Sequence, residues 1–364
     1  MHTVNDTADT ARSPAIDVGA KAAAHGAVAP YDDRMTRFAT AWLLALVAGL
    51  MAGCVPIFDP PRGLEHCAAP DAPIAFADPT LAAVVRTDLG LAEGDAVTCR
   101  TLTRLRRLRA NDSGITSLVG LEEAVFLNRI DARGNQISDL EPLSTLPRLA
   151  RLYLRDNAVS DLSRLRDVPA LTLLELRRNQ LTDIAGAEGL PNLRQLDLRD
   201  NEIVDVSPLA ELTHLRELQL QNNAVERIDA LRGLSRLEAL RLDGNAIVDA
   251  SGLSTLHELR TLSLRNNQVG EVTFLFPLAK LEFLDLQNNV VSDLTALLSL
   301  DRLETVNLSR NQIDDITPLA DLPSLTSLNL DRNCLVLDEV DMRVIDVLIE
   351  RGAEVSFDRQ ASCR

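Results

Sequence analysis

Asparagine recurs at Asn135, Asn157, Asn179, Asn201, Asn223, Asn245, Asn267, Asn289, Asn311 and Asn333, a constant step of 22 residues. A period that strict means one structural unit stacked many times, each copy touching mainly its neighbours. Such a chain is a solenoid, and it presents long surfaces rather than one central cavity. Around Asn157 the unit places Leu149, Leu152 and Leu154 before the asparagine and Val159, Leu162 and Leu165 after it. Alternation in Leu152-Tyr153-Leu154 turns both leucines one way and the tyrosine the other, the pattern of a short strand with one buried face. The asparagine stands where the chain leaves the strand, and its amide can both donate to and accept from backbone groups that the turn leaves unpaired. Stacked copies predict an internal asparagine ladder with a structural role, since a ligand would not need the same residue in every coil.

The pattern LxxLxLxxNxVxxLxxL resembles the leucine-rich repeat family, in the 22-residue bacterial form of internalin-like proteins where NxIxDIxPL follows the strand. Asn135-Gln136-Ile137-Ser138-Asp139-Leu140-Glu141-Pro142-Leu143 and Asn311 to Leu319 match that form. A further copy with Ser113 at the asparagine position and Ile115 and Leu118 behind it brings the count to about eleven. The resemblance implies an α/β solenoid: a repeat arc with a parallel sheet on its concave face, short turns or 3-10 segments on its convex face, and helical caps at both ends. Composition agrees, because 46% hydrophobic but only 3% aromatic residues give a leucine-dominated aliphatic core. The organisation expected is an upstream segment 1–34, a signal or membrane anchor 35–53, a tether 54–73, an N-terminal cap 74–104, repeats 105–337 and a C-terminal cap 338–364.

The net charge of −16 has a visible source in Asp139, Asp161, Asp183, Asp205, Asp249, Glu271, Asp293 and Asp315, each four residues after a repeat asparagine. An Asp before a tight turn can accept from its free amides, so the column reads as structural. Calcium is disfavoured, since one carboxylate per coil lacks the clustered oxygens that this ion takes.

At the N-terminus, Met35-Thr36-Arg37 begins a basic start, Ala41 to Ala52 is almost wholly apolar, and Leu50-Met51-Ala52-Gly53-Cys54 closes it with small residues before a cysteine. This resembles a bacterial lipoprotein signal, which implies lipidation of Cys54 and, with Val55 next to it, the outer membrane. The alternative is an uncleaved anchor, because Phe38 to Phe58 carries no charge and is about long enough to span a bilayer. Either arrangement puts the repeats in the cell envelope, outside the cytoplasm, with membrane contact through the N-terminus alone. Residues 1–34 are Ala-rich and polar, and translation is expected to start at Met35. Pro56, Pro60, Pro61, Pro70 and Pro73 mark the tether.

Four further cysteines sit at the two ends of the array, Cys67 and Cys99 before it and Cys334 and Cys363 after it. Three connectivities are possible, but pairing across the array would need two ends of an open arc to meet. Cys67 with Cys99 and Cys334 with Cys363 is therefore expected, as staples for caps that cover the terminal coils. Asp78-Pro79 predicts the start of a cap helix with Leu81, Val84, Val85 and Leu89 on one face and Gly90 at its end. Asp338 predicts a second, with Val340, Val344, Val347 and Leu348 inward, Gly352 as its stop, and Val355 and Phe357 in a last strand.

Nothing in the sequence carries catalysis or a cofactor. There is no HExxH, GxSxG or phosphate-binding glycine loop, the histidines are scattered, and the cysteines lack zinc spacing. Recognition is expected on the concave face. Two residues before the asparagine stand Arg133, Arg155, Arg177 and Arg199 in consecutive coils, and six before stand Arg107, Arg129 and Arg151, with Tyr153 near the centre. At about 4.8 Å per coil these form a basic stripe in an acidic protein. Two readings are open: a lattice of exposed ion pairs with Asp131, Glu175 and Asp197 that keeps the sheet soluble, or a docking surface for a protein or anionic polymer. Phe274 and Phe276 interrupt the convex turn and are expected to cover a neighbouring coil. The function expected is a non-catalytic, lipid-anchored envelope or surface protein, monomeric in form, that binds a partner through the arc. A structural envelope component is the rival, and a phosphatase-regulatory scaffold is a more distant one. The net charge and interleaved acids argue against nucleic acid.

Overall fold

Twelve three-residue strands pair in parallel, in chain order, to make one open sheet. They are β1 (Arg107–Arg109), β2 (Arg129–Asp131), β3 (Arg151–Tyr153), β4 (Leu173–Glu175), β5 (Gln195–Asp197), β6 (Glu217–Gln219), β7 (Ala239–Arg241), β8 (Thr261–Ser263), β9 (Phe283–Asp285), β10 (Thr305–Asn307), β11 (Ser327–Asn329) and β12 (Glu354–Ser356). The first eleven are the eleven repeats, and the twelfth comes from the C-terminal cap. The protein is described here as a computed structural model covering residues 66–360, all inside the compact unit Pro60–Arg364. The signal 35–53, Cys54 and Cys363 lie outside the described residues.

Register follows from the leucine pattern. Leu152 pairs with Leu174 and Leu174 with Leu196, so the buried residue of each strand stacks on its counterpart. A one-residue slip would turn every one of these leucines to solvent. The flanking leucine, isoleucine and valine columns are buried with them and form a continuous aliphatic core.

The asparagine ladder is built amide to backbone. Asn201 Nδ2 donates to the Leu176 and Leu198 carbonyls at 3.0 Å each, while its Oδ1 accepts from the Leu181 amide at 3.1 Å. One side chain thus ties its own turn to the coil before it and satisfies three backbone groups that would otherwise be buried without partners. The residue just before each asparagine takes the left-handed conformation, with φ of 55° at Asp156, 53° at Arg178, 56° at Asp200 and 57° at Asn222. This column was not apparent in the sequence because arginine, an unusual occupant of that region, shares it with Asp, Asn and Gly.

The acidic column opens the convex turns. Asp161 accepts from the Ser163 amide at 2.7 Å, Asp205 from Ser207 and Asp249 from Ser251 at 2.8 Å each, in front of 3-10 segments such as Ser163–Leu165 and Ser207–Leu209. Glu271, one methylene longer, makes no such bond among the described residues.

Helix α1 (Pro79–Leu89) starts on Asp78, whose carboxylate accepts from Thr80 at 2.8 Å, and ends on Gly90 at φ 68°. The same Asp78 accepts from the Thr116 amide at 2.7 Å, so one side chain caps the helix and fastens it to the first coil. A single turn, α2 (Cys99–Leu102), follows, and Cys67 is disulfide-bonded to Cys99. The N-terminal cap reaches further back than its expected start: Arg100 pairs with Asp71 at 2.6 Å and its amide donates to the Pro70 carbonyl at 2.9 Å. Helix α3 (Glu339–Glu350) begins at Asp338 as expected. Its inward face is Asp341, Val344, Ile345 and Leu348, whereas Val340 is 53% exposed, which corrects the expected set. The helical period places Val340 about 100° away from Asp341, and the buried Asp341 carboxylate is held by the Leu337 amide at 3.0 Å. Val355 and Phe357 then pack against the core. Cys334 is disulfide-bonded.

Candidate functional site: the strand face

In every repeat the middle strand residue points into the core, so its neighbours on either side, and the residue two before the asparagine, form the outer surface of the sheet. All eight residues expected to carry recognition lie on this face, over β1–β5.

Most of the arginines are already engaged. Asp131, buried on β2, pairs with Arg129 at 2.7 Å and lies 3.6 Å from Arg107 and 3.9 Å from Arg133. Arg133 reaches across a whole coil to Glu175 on β4 at 2.7 Å. Between them, Tyr153 stacks under both guanidinium groups, 4.4 Å from Arg129 and 4.3 Å from Arg133, which orders the ring and the two cations together. Arg155 pairs with Asp156 at 2.9 Å, Arg177 with Asp200 at 2.7 Å and Arg199 with Asp197 at 2.6 Å. These bonds hold Arg133 and Arg199 more firmly protonated than usual, through Glu175 and Asp197 respectively. Of the seven candidate arginines, only Arg151 has no carboxylate partner among the described residues.

Two positions outside the expected set belong to the same surface. Arg194 is exposed and also has no carboxylate partner among the described residues. Leu173 is half-exposed in a column that carries arginine in the three coils before it and Gln195 and Glu217 in the two after it. The signal for Leu173 was available, since a leucine six before the asparagine breaks the outward column. Arg194 lies seven before the asparagine, at the strand entry, a column whose outward direction shows only in the fold.

Further along, the face changes character. Asn307 donates to Gln287 at 3.2 Å, Ser309 donates to Asn307 at 2.8 Å, and Ser263 bonds to Asp243. Asp285 has its pKa raised by burial, with the neighbouring Asp243 adding to the effect. On the convex side Phe274 is buried at 4% exposure and covers the coil as expected, while Phe276 remains 46% exposed. His214 and His257 are exposed, each with Nδ1 near a proline carbonyl, at 3.0 and 3.3 Å. In the N-terminal cap, His66 Nε2 lies 3.5 Å from both sulfurs of the disulfide, and Glu123 approaches Cys99 at 3.6 Å. No helix among the described residues is long and apolar enough to cross a membrane.

Fold and face together define a leucine-rich repeat protein, a class of generally non-catalytic protein-binding scaffolds. A family model for the leucine rich repeat matches residues 191–247, and one for paired leucine rich repeats matches 169–211, 257–299 and 301–341. Internalin C2 of Listeria monocytogenes is 35% identical over 57% of this chain and 93% of its own, with a TM-score of 0.55. The chain belongs to this internalin-type family. A second internalin of that organism, InlF, is 29% identical over 78% of this chain and 91% of its own, at TM-score 0.66. The plant peptide hormone receptor RGFR1, solved in complex with RGF2, shares the fold at 22% identity and TM-score 0.57, over 66% of this chain and 41% of its own. No curated protein matches the sequence.

Proposed function

We propose that this protein is a lipid-anchored component of the bacterial cell envelope that binds a protein partner through the strand face of its repeats. The observation that carries the reading is the ordered cation surface over β2–β5, where Arg129, Arg133 and Tyr153 are fixed against one another before any partner arrives. Side chains already immobilised lose less freedom on binding, and arginine and tyrosine are favoured anchors of interfaces. RGFR1, with the same fold, is a receptor for a peptide hormone. The anchor rests on the sequence from Met35 to Cys54, and the outer membrane on Val55.

The pairing of six arginines with the protein's own acids supports a second reading, a structural envelope component without a discrete ligand. One experiment separates the two. The full chain and its R133Q/R155Q/R177Q/R199Q variant, matched for thermal stability, are used to capture partners from envelope extracts. A partner retained only by the unmodified face is the expected result, and capture of nothing by either selects the structural reading. Fatty-acid labelling that disappears in C54S tests the anchor.

A further inference from the structure

Resting on the reading of the strand face as the docking surface, we infer that its N-terminal half contains a subsite for an extended acidic peptide. An apolar side chain of that peptide sits on Tyr153 and Leu173, and the carboxylates that flank it are held by Arg151 and Arg194. A depression of about 620 Å³ opens here at the entry side of β3–β7, lined by Arg151, Tyr153, Leu173, Arg194 and Gln195 among others. A smaller hollow of about 170 Å³ continues from Tyr153 and Leu173 onto the face itself.

Charge complementarity selects the occupant. Arg151 and Arg194 are exposed cations that lack a carboxylate partner among the described residues, in a chain with acids to spare, at net charge −16. Arg216 at the same depression is matched by Glu238, and the Glu217 carboxylate is held by Gln195 at 3.0 Å and by Gln219 at 2.5 Å, so neither competes freely for the two open arginines. The second depression of similar size, about 570 Å³ around Arg241 and Arg265, carries three carboxylates on its lining, Asp200, Asp243 and Asp285, against two in the first. The acidic surface elsewhere acts weakly at this point, because screening at physiological ionic strength limits its reach to about 8 Å.

Spacing fits an extended segment. Strands β3 and β5 are about 10 Å apart, and an extended peptide rises about 3.3 Å per residue, so about three residues laid across the strands connect the two arginines. Tyr153 is held from its far side by Arg129 and Arg133, and Leu173 stands next to it on β4. Together they offer the apolar contact between the two cations.

The test uses the full chain and a fluorescent synthetic heptapeptide in a Gly/Ser background, with one Leu and an Asp two residues to either side, against its Asn counterpart. The acidic peptide is expected to bind at least about tenfold tighter than the amide, the size of one good charged contact. R151Q/R194Q removes that preference, R151K/R194K restores part of it, and L173S weakens both peptides alike. The Arg151 and Arg194 side chains have no ion-pair partner among the described residues, so thermal stability stays unchanged in these variants. Equal binding of acid and amide, or a preference that survives R151Q/R194Q, overturns the subsite. So does capture of a polyanion that L173S binds as tightly as the unmodified chain. An envelope partner lost on R133Q/R155Q/R177Q/R199Q but indifferent to R151Q/R194Q and L173S overturns the subsite and leaves strand-face docking standing. A partner indifferent to every variant overturns both.

Discussion

Over β2–β5 the outward columns lock arginine to acid, Arg133 to Glu175 at 2.7 Å and Arg199 to Asp197 at 2.6 Å. Over β9–β11 the same columns carry no arginine and, apart from Asp285 and Asp331, neutral groups, with Ser309 donating to Asn307 at 2.8 Å and Asn307 to Gln287 at 3.2 Å. Beneath both halves the frame is the same. Asn201 and Asn289 each donate to two main-chain carbonyls of successive coils at 2.9 to 3.0 Å. The difference teaches that the repeat fixes the backbone with one set of columns and leaves another set free to vary, so the variable columns are where this chain's specificity has to be sought.

That separation can be broken most forcefully at the frame. Asn201→Ala and Asn289→Ala are each expected to cost about 4 kcal/mol, since three buried backbone groups lose their partner in either half. Urea unfolding checks this, and unequal costs would mean that the halves do not share one frame. Cys99→Ser is next, at about 3 to 4 kcal/mol for the lost loop constraint, read as a fall in unfolding midpoint that reductant reproduces in the unmodified chain. On the face the halves should diverge. Asp131→Ala, which leaves Arg107, Arg129 and Arg133 without their shared carboxylate, is expected to cost about 2 kcal/mol, and Asn307→Ala in the neutral half about 0.5 to 1 kcal/mol. Only the first cost should shrink in high salt.

Acid sharpens the contrast further. The carboxylates of Asp161 and Asp249 are held below their usual range by backbone amides, and those of Asp205 and Asp293 by the Ser207 and Thr295 hydroxyls. Their stabilisation is present above the ordinary Asp range, about pH 4, and is lost as pH falls through the lowered values. Asp285 has the opposite sign, because burial raises it and protonation in the fold relieves the cost of its charge. Asp285→Asn should therefore raise the melting temperature slightly at pH 7, with the advantage vanishing as pH falls through the raised value. Thermal melts from pH 7 to pH 3 follow both effects.

How much of this was legible in the sequence depends on the range of each interaction. The leucine columns, the asparagine ladder, the Asp turns and the Cys67–Cys99 staple could be read because each is a motif repeated within one coil or paired within one cap. Arg133 with Glu175 could not, since the two lie 42 residues apart and meet only when coils stack. The same holds for Tyr153 between two guanidinium groups: its residues were visible, their contact was not. Val340 was misplaced because an apolar side chain at the first turn looked like part of a face that a buried Asp341 in fact occupies.

The most direct test of the account is residue-resolved footprinting of arginine and carboxyl side chains by mass spectrometry, with and without the captured envelope partner. Protection of arginines over β2–β5, with the β9–β11 half and the convex turn at Phe276 unchanged, is the result the account predicts. Protection centred on β9–β11 or on Phe276, with the arginines of β2–β5 as reactive as in the free chain, would contradict it.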